Sequence, residues 1–189
     1  MNKELLQRGV SMALRWWKSM YASASELKKE GIQAAPTAWK AELKRAESID
    51  AVLLTQGFRA LWLSLSSEIT EGHEKQVGEN MLCWAAVAGA LVCVSENHTE
   101  SFAKLAGKNG DGEKPVVSEM RFAQLQQAQT PEEFLRRIRR ILKQLKGKAS
   151  VIQLAKDTCN WNKELTSNYP RQADKRIAVR WAMDYYQAN

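Results

Sequence analysis

Residues 130–147 read TPEEFLRRIRRILKQLKG, and an amphipathic helix is the structure that suits them. Thr130 can accept a hydrogen bond from a free backbone N–H. Pro131 suits the first helical position, and Glu133 is placed to bond back and complete a capping box. Gly147 suits the left-handed residue that ends a helix. At about 100° per residue, Phe134, Leu135, Ile138, Ile141, Leu142 and Leu145 fall within about 120° of one another. Arg136, Arg137, Arg139, Arg140, Lys143 and Lys146 take the opposite side, with Arg136, Arg140 and Lys143 near its middle. The spacing predicts a helix over 131–146, anchored by one face and offering cations on the other.

Helical spacing continues through the rest of the chain. No segment alternates apolar and polar residues over a useful length, and no Asn-Gly or Asp-Gly pair joins two β-branched runs. Helices are predicted over about 3–21, from Thr37, over 49–65, 81–94, a short one ending near Leu105, then 118–128, 131–146, 151–162 and 171–187. Met81 to Val94 is the most apolar run. It is shorter than the roughly 20 residues that span a bilayer, so it is read as a buried helix and no membrane contact is expected. Residues 107–117, GKNGDGEKPVV, interrupt the pattern most clearly, and Asn109-Gly110-Asp111-Gly112 has the composition of a turn. The expected fold is all-α: an N-terminal helical domain over 1–106, a Gly-rich linker over 107–117, and a C-terminal helical bundle with a basic face over 118–189.

Charge is concentrated. The net charge is +7, yet residues 1–120 carry 14 Lys/Arg against 15 Asp/Glu, while 121–148 carry eight against two and 149–189 six against four. Surface helices usually mix both signs along i,i+4 pairs. Here no acid follows Glu133 within the helix. Cations crowded on one face repel one another, so an external anion is the economical partner. Arginine suits bidentate phosphate contact. The basic positions span about 15 Å, which reaches about two to four phosphates and favours backbone binding over sequence readout. An acidic protein partner is the alternative reading of the same face.

Other constellations carry less. Cys83, Cys93 and Cys159 are odd in number and lack paired spacing. No leader pattern marks the N-terminus, so a reducing cytoplasm is expected and the sequon Asn97-His98-Thr99 is read as coincidence. His73 and His98 have no partner at zinc-ligand spacing. Gly107-Lys108-Asn109-Gly110 lacks the phosphate-loop pattern, and no nucleophile elbow is present. The reading is therefore of a protein that is not an enzyme and needs no cofactor. The seven tryptophans fall mostly on apolar stripes and are assigned to the core, although an exposed one would offer a stacking platform. Arg176, Arg180 and Asp184 follow i,i+4 spacing, which suits either an ion-pair ladder or ligand contact.

Several stretches together resemble one family. They are Arg121-Phe122 through Leu125; Thr130-Pro131-Glu132-Glu133-Phe134-Leu135-Arg136-Arg137-Ile138-Arg139-Arg140; Leu145-Lys146-Gly147; and Val179-Arg180-Trp181-Ala182-Met183-Asp184-Tyr185-Tyr186. Ala41-Glu42-Leu43-Lys44-Arg45-Ala46 adds an Ala-x-Leu-Arg-Arg-Ala-like element with Lys44 in place of the first arginine. The whole is similar to the CasB family, the small subunit of the type I-E CRISPR surveillance complex Cascade. Gln124, Gln126 and Gln127 stand where many relatives carry further arginines, leaving Arg121 as that helix's cation. The resemblance implies two small helical domains and paired copies seated against the backbone and large subunits. It also implies a non-catalytic role in holding guide RNA and target DNA in the R-loop. It widens the expected nucleic-acid contacts to Lys44, Arg45, Arg121, Arg136, Arg137, Arg139, Arg140, Lys143, Lys146, Lys148 and Arg180.

Overall fold

The computed structural model describes residues 2–110, 112–169 and 171–188. Asp111, part of the expected turn, lies outside the described residues. The helical expectation holds. In order come α1 (Lys3–Tyr21), α2 (Ala24–Glu30), α3 (Thr37–Arg45), α4 (Ile49–Leu53), α5 (Gln56–Ser64), α6 (Ser67–Thr70), α7 (Glu74–Leu91), α8 (Phe102–Gly107), α9 (Glu119–Gln126), α10 (Pro131–Gln144), α11 (Val151–Leu165) and α12 (Ile177–Tyr186). A 3-10 turn, Ala173–Lys175, precedes α12. Two short strands, β1 (Glu96–Asn97) and β2 (Lys148–Ala149), pair in parallel.

Some boundaries differ from expectation for local reasons. The helix predicted over 49–65 is broken, because the Thr55 hydroxyl donates to Val52 O at 2.7 Å and accepts from Phe58 N at 3.1 Å, closing α4 and starting α5. The short α2 had a legible start, a capping box between Ser23 and Glu26. The last helix begins at Ile177, not near residue 171.

Helix α7 is the axis of the core. Nearly all of Cys83–Val92 is buried, and α7 packs against α3, α4, α5, α6, α10 and α11. The close approach of α10 uses Gly89, where a Cβ would lie 2.8 Å from Leu135 Cδ1. Around the far end of α10 an aromatic cluster joins the later helices. Phe134 stacks on Trp161 at 4.4 Å, Phe122 on Tyr185 at 4.3 Å, and Phe102 meets Trp181 edge-on at 5.3 Å.

The structure does not show the expected division at 107–117. Buried residues from Leu5 to Tyr185 form one hydrophobic cluster, and α1 packs against α11 as well as α5. The Gly-rich segment is an anchored turn. Asn109 bridges Pro115, Val116 N donates to Lys108 O at 2.9 Å, and buried Val117 receives the Tyr185 hydroxyl on its carbonyl at 2.6 Å.

Asp157 joins α11 to α12 from inside the core, with 1% of its surface exposed. Its carboxylate accepts from Trp181 Nε1 at 3.0 Å and Gln153 Nε2 at 2.8 Å, and Arg180 lies 3.8 Å away. Burial outweighs these partners and raises its pKa to about 6. In the unfolded chain an aspartate titrates near 3.9, so the fold favours the protonated form. The stabilisation from that proton is complete below about pH 4 and is lost as pH rises through about 6. Relative to Asp157→Asn, which does not titrate, the native protein should lose about 2 kcal/mol between pH 4 and pH 7. Urea denaturation of both proteins across that range measures it, and a constant difference refutes the assignment.

Candidate nucleic-acid interface

The ends of α10 are fixed largely as the sequence suggests. The Thr130 hydroxyl accepts from Glu133 N at 3.2 Å, and Pro131 takes the first position. Two details differ. The Glu133 carboxylate accepts from Gln129 N at 3.0 Å, one residue before the expected box partner. The left-handed residue closing the helix is Lys146, at φ 54°, and Gly147 follows it at φ 77°. Lys146 N bonds to Lys143 O at 3.1 Å and Gly147 N to Leu142 O at 2.9 Å, the paired bonds of a Schellman motif. Glycine is needed at 147 for another reason: a Cβ there would lie 2.3 Å from Ser95 Oγ and 3.0 Å from Ser95 N.

All six apolar residues of the predicted stripe are buried: Phe134, Leu135, Ile138, Ile141, Leu142 and Leu145. The cations separate into two groups. Arg136, Arg140, Lys143 and Lys146 are exposed, and none has an ion-pair partner among the described residues. Arg137 and Arg139, on the two flanks, turn inward. Arg137 donates to Gln124 O of α9 and lies 3.4 Å from Glu133.

Arg139 spends its guanidinium on three backbone carbonyls. It donates from Nε to Gly89 O at 2.8 Å, from Nη2 to Leu43 O at 2.9 Å, and from Nη1 to Ala46 O. These carbonyls close the C-terminal ends of α7 and α3, where intrahelical partners run out. Cys93 N, which would otherwise serve Gly89 O, bonds to Ala90 O instead. Burial pulls the Arg139 pKa below its usual value, while Cys93 and Glu47 act in the opposite sense. The negative ends of two helices offset the cost of the buried charge. Arg139 is thereby withdrawn from the outward face on which the sequence placed it.

These two struts gather basic residues from separate segments. Through Arg139, the last turn of α3, with exposed Lys44 and Arg45, is held against the middle of α10. Through Arg137, α9 with exposed Arg121 is held on the other flank. Lys44 lies 6.0 Å from the Tyr21 ring centroid and Lys40 lies 4.4 Å from it. Sequence reasoning passed over Lys40 and Tyr21. The i,i+4 spacing of Lys40 and Lys44 was the available sign.

Lys148, on β2 beyond α10, is 3.4 Å from Glu96. Arg180 on α12 is directed to Asp157 of α11. The ladder suggested by Arg176, Arg180 and Asp184 does not form. Arg176 Nε donates to Arg171 O at 3.1 Å, and Asp184 accepts from Ser101 Oγ at 2.7 Å. No tryptophan among the described residues is exposed. Among the described residues no helix is long and apolar enough to cross a membrane.

A family model described as CRISPR-associated protein Cse2 matches residues 39–186, taking in every cation of α3, α9, α10, β2 and α12 described above. The chain belongs to the Cse2 family. Its members are the non-catalytic small subunits of Cascade in type I-E CRISPR immunity, which associate with the other Cascade subunits and the CRISPR RNA. No curated protein and no solved structure matches the chain.

The inward turn of Arg139 has a measurable consequence. Arg139→Leu strands three carbonyls and should cost about 2–4 kcal/mol of stability. Arg140→Leu, one residue on but exposed, should change stability by less than about 0.5 kcal/mol. Urea denaturation of the two variants tests the contrast, and equal losses refute it.

Proposed function

We propose that this Cse2-family subunit binds nucleic-acid backbone without sequence preference and stabilises the R-loop of its Cascade complex. Arg136, Arg140 and Lys143 form the centre of the binding face. Lys146 and Lys148 extend it along the chain, and Lys44, Arg45 and Arg121 extend it sideways. The single observation behind the reading is that α10 buries six apolar residues on one side. On the other it leaves Arg136, Arg140 and Lys143 exposed with no acidic partner among the described residues. Arg137, Arg139 and Arg180 serve as positioning and structural cations, each engaged with protein groups.

Exchanging a DNA duplex for a guide–target heteroduplex is nearly balanced in energy, so contacts to a strand's backbone can tip it. Sequence selectivity in such a contact would work against the guide, which supplies specificity. Long cationic side chains anchored on a packed helix meet both needs. In this reading the protein works in the cytoplasm as paired copies against the backbone and large subunits.

The triple substitution Arg136→Glu, Arg140→Glu and Lys143→Glu tests the face within assembled Cascade. The side chains are exposed, so folding and assembly should persist while retention of the displaced strand weakens. The log–log salt dependence of single-strand binding should flatten by about 0.7 for each phosphate that is no longer neutralised. Unchanged R-loop lifetime with failed assembly identifies the face as a protein-docking surface and defeats the proposal.

A further inference from the structure

A cavity of about 550 Å³ opens between the first turn of α1, the N-terminal half of α7 and the last turns of α11. Its volume lies within the range of small-molecule sites, about 300–1,000 Å³. The lining includes four cations, Lys3, Lys156, Lys163 and Arg171, against one acid, Glu79. The remaining polar lining is mostly side-chain amides, which offer donors and acceptors alike. Buried Cys83 and Cys159 add apolar wall. None of the cations assigned to the α10 face takes part.

The polar groups divide by whether the protein already uses them. Asn80 is satisfied at both ends, donating to Ile69 O at 2.9 Å and accepting from Gln76 Nε2 at 3.2 Å. Arg171 is shared with Glu164 at 3.2 Å and Asn160 Oδ1 at 3.4 Å. Asn162 differs. It is only 7% exposed and lines the cavity, and its carboxamide has no hydrogen-bond partner among the described residues. Buried amides are seldom left unpaired, and this one opens to the cavity, where a ligand or water can pair with it. Setting aside Arg171, which is shared with Glu164, and Lys163, the lining still carries Lys3 and Lys156 against Glu79, a positive balance that favours an anionic occupant. The N-terminus of α1, a 19-residue helix capped by Asn2, also faces the cavity, and its positive end favours the same sign.

We propose that this cavity binds a phosphate monoester of nucleotide size. Lys3 and Lys156 hold the phosphate, and Asn162 pairs with a polar edge of the base or sugar. A free mononucleotide and the 5′-phosphorylated end of a strand present the same chemistry. Residues 2–7 of the lining precede the segment matched to Cse2, so the site is completed by a part of the chain outside the family match.

Calorimetric titration of the full-length protein with AMP, adenosine and the 5′-phosphorylated dinucleotide pApA tests the proposal. AMP should bind saturably with one site per chain, and adenosine should not bind. Lys156→Glu and Asn162→Leu should each weaken AMP by at least about tenfold. Lys28→Glu, an equal charge change on exposed α2, should leave AMP affinity unchanged. If pApA binds as tightly as AMP the source is a strand end, and if only AMP binds it is a free nucleotide. Asn162 is buried, so Lys156→Glu, with folding verified by circular dichroism, decides the matter. Absence of saturable AMP binding, or equal AMP affinity in the native and Lys156→Glu proteins, overturns the proposal.

Discussion

The guanidinium of Arg139 organises the basic surface although it does not belong to it. Two helices, α3 and α7, end beside α10 with carbonyls that have no amide to serve them. A planar fork with five donors can meet three such carbonyls at once; an ammonium has three donors and no fixed geometry. The contact costs desolvation of a charge and is favourable only because every donor direction used finds an acceptor. Once made, it fixes where the C-terminal turn of α3 stands relative to α10. The outward cations of both elements are then held in a set relation rather than on independently moving parts.

How far this was legible in the sequence follows from the range of the interactions. The amphipathic character of α10 is a periodicity, a local property, and Phe134 through Leu145 are buried as the spacing demands. Charge clustering is also local. The role of Arg139 is not, because its acceptors at Leu43 and Ala46 lie 96 and 93 residues away. On a helical projection it sits at the margin of the polar arc, where a long side chain can go either way. In the 107–117 segment composition and packing select the same residue type. Its composition is that of a linker, yet Gly107 is required because a Cβ would fall 2.0 Å from Tyr185 O. Close packing of backbone on backbone and a flexible hinge select the same residue.

Family membership and the physical reading constrain different things. The Cse2 match places the chain in Cascade as a non-catalytic subunit, and says nothing about which cations are free. That comes from counting acceptors. Arg137 and Arg139 carry the same charge as Arg136 and Arg140, yet each meets backbone carbonyl oxygen of its own protein. A basic run is therefore a poor guide to a basic surface until the inward members are removed from it.

Helix α1 is outside the family match for its whole length, but the basic face depends on it through α7. Trp17 Nε1 donates to Val94 O at 2.8 Å, and the Tyr21 hydroxyl donates to Val92 O. With Arg139 on Gly89 O, these side chains satisfy carbonyls from the last turn of α7 and the residues just beyond it. Tyr21 also lies beneath Lys40 and Lys44 of α3. The end of α7 is thus a junction at which α1, α3 and α10 are joined through side-chain-to-backbone hydrogen bonds, with directions that apolar contact alone would not set. A change in α1 that shifts Trp17 or Tyr21 would reach Lys44 and Arg139 through this junction, without touching a residue of the matched segment.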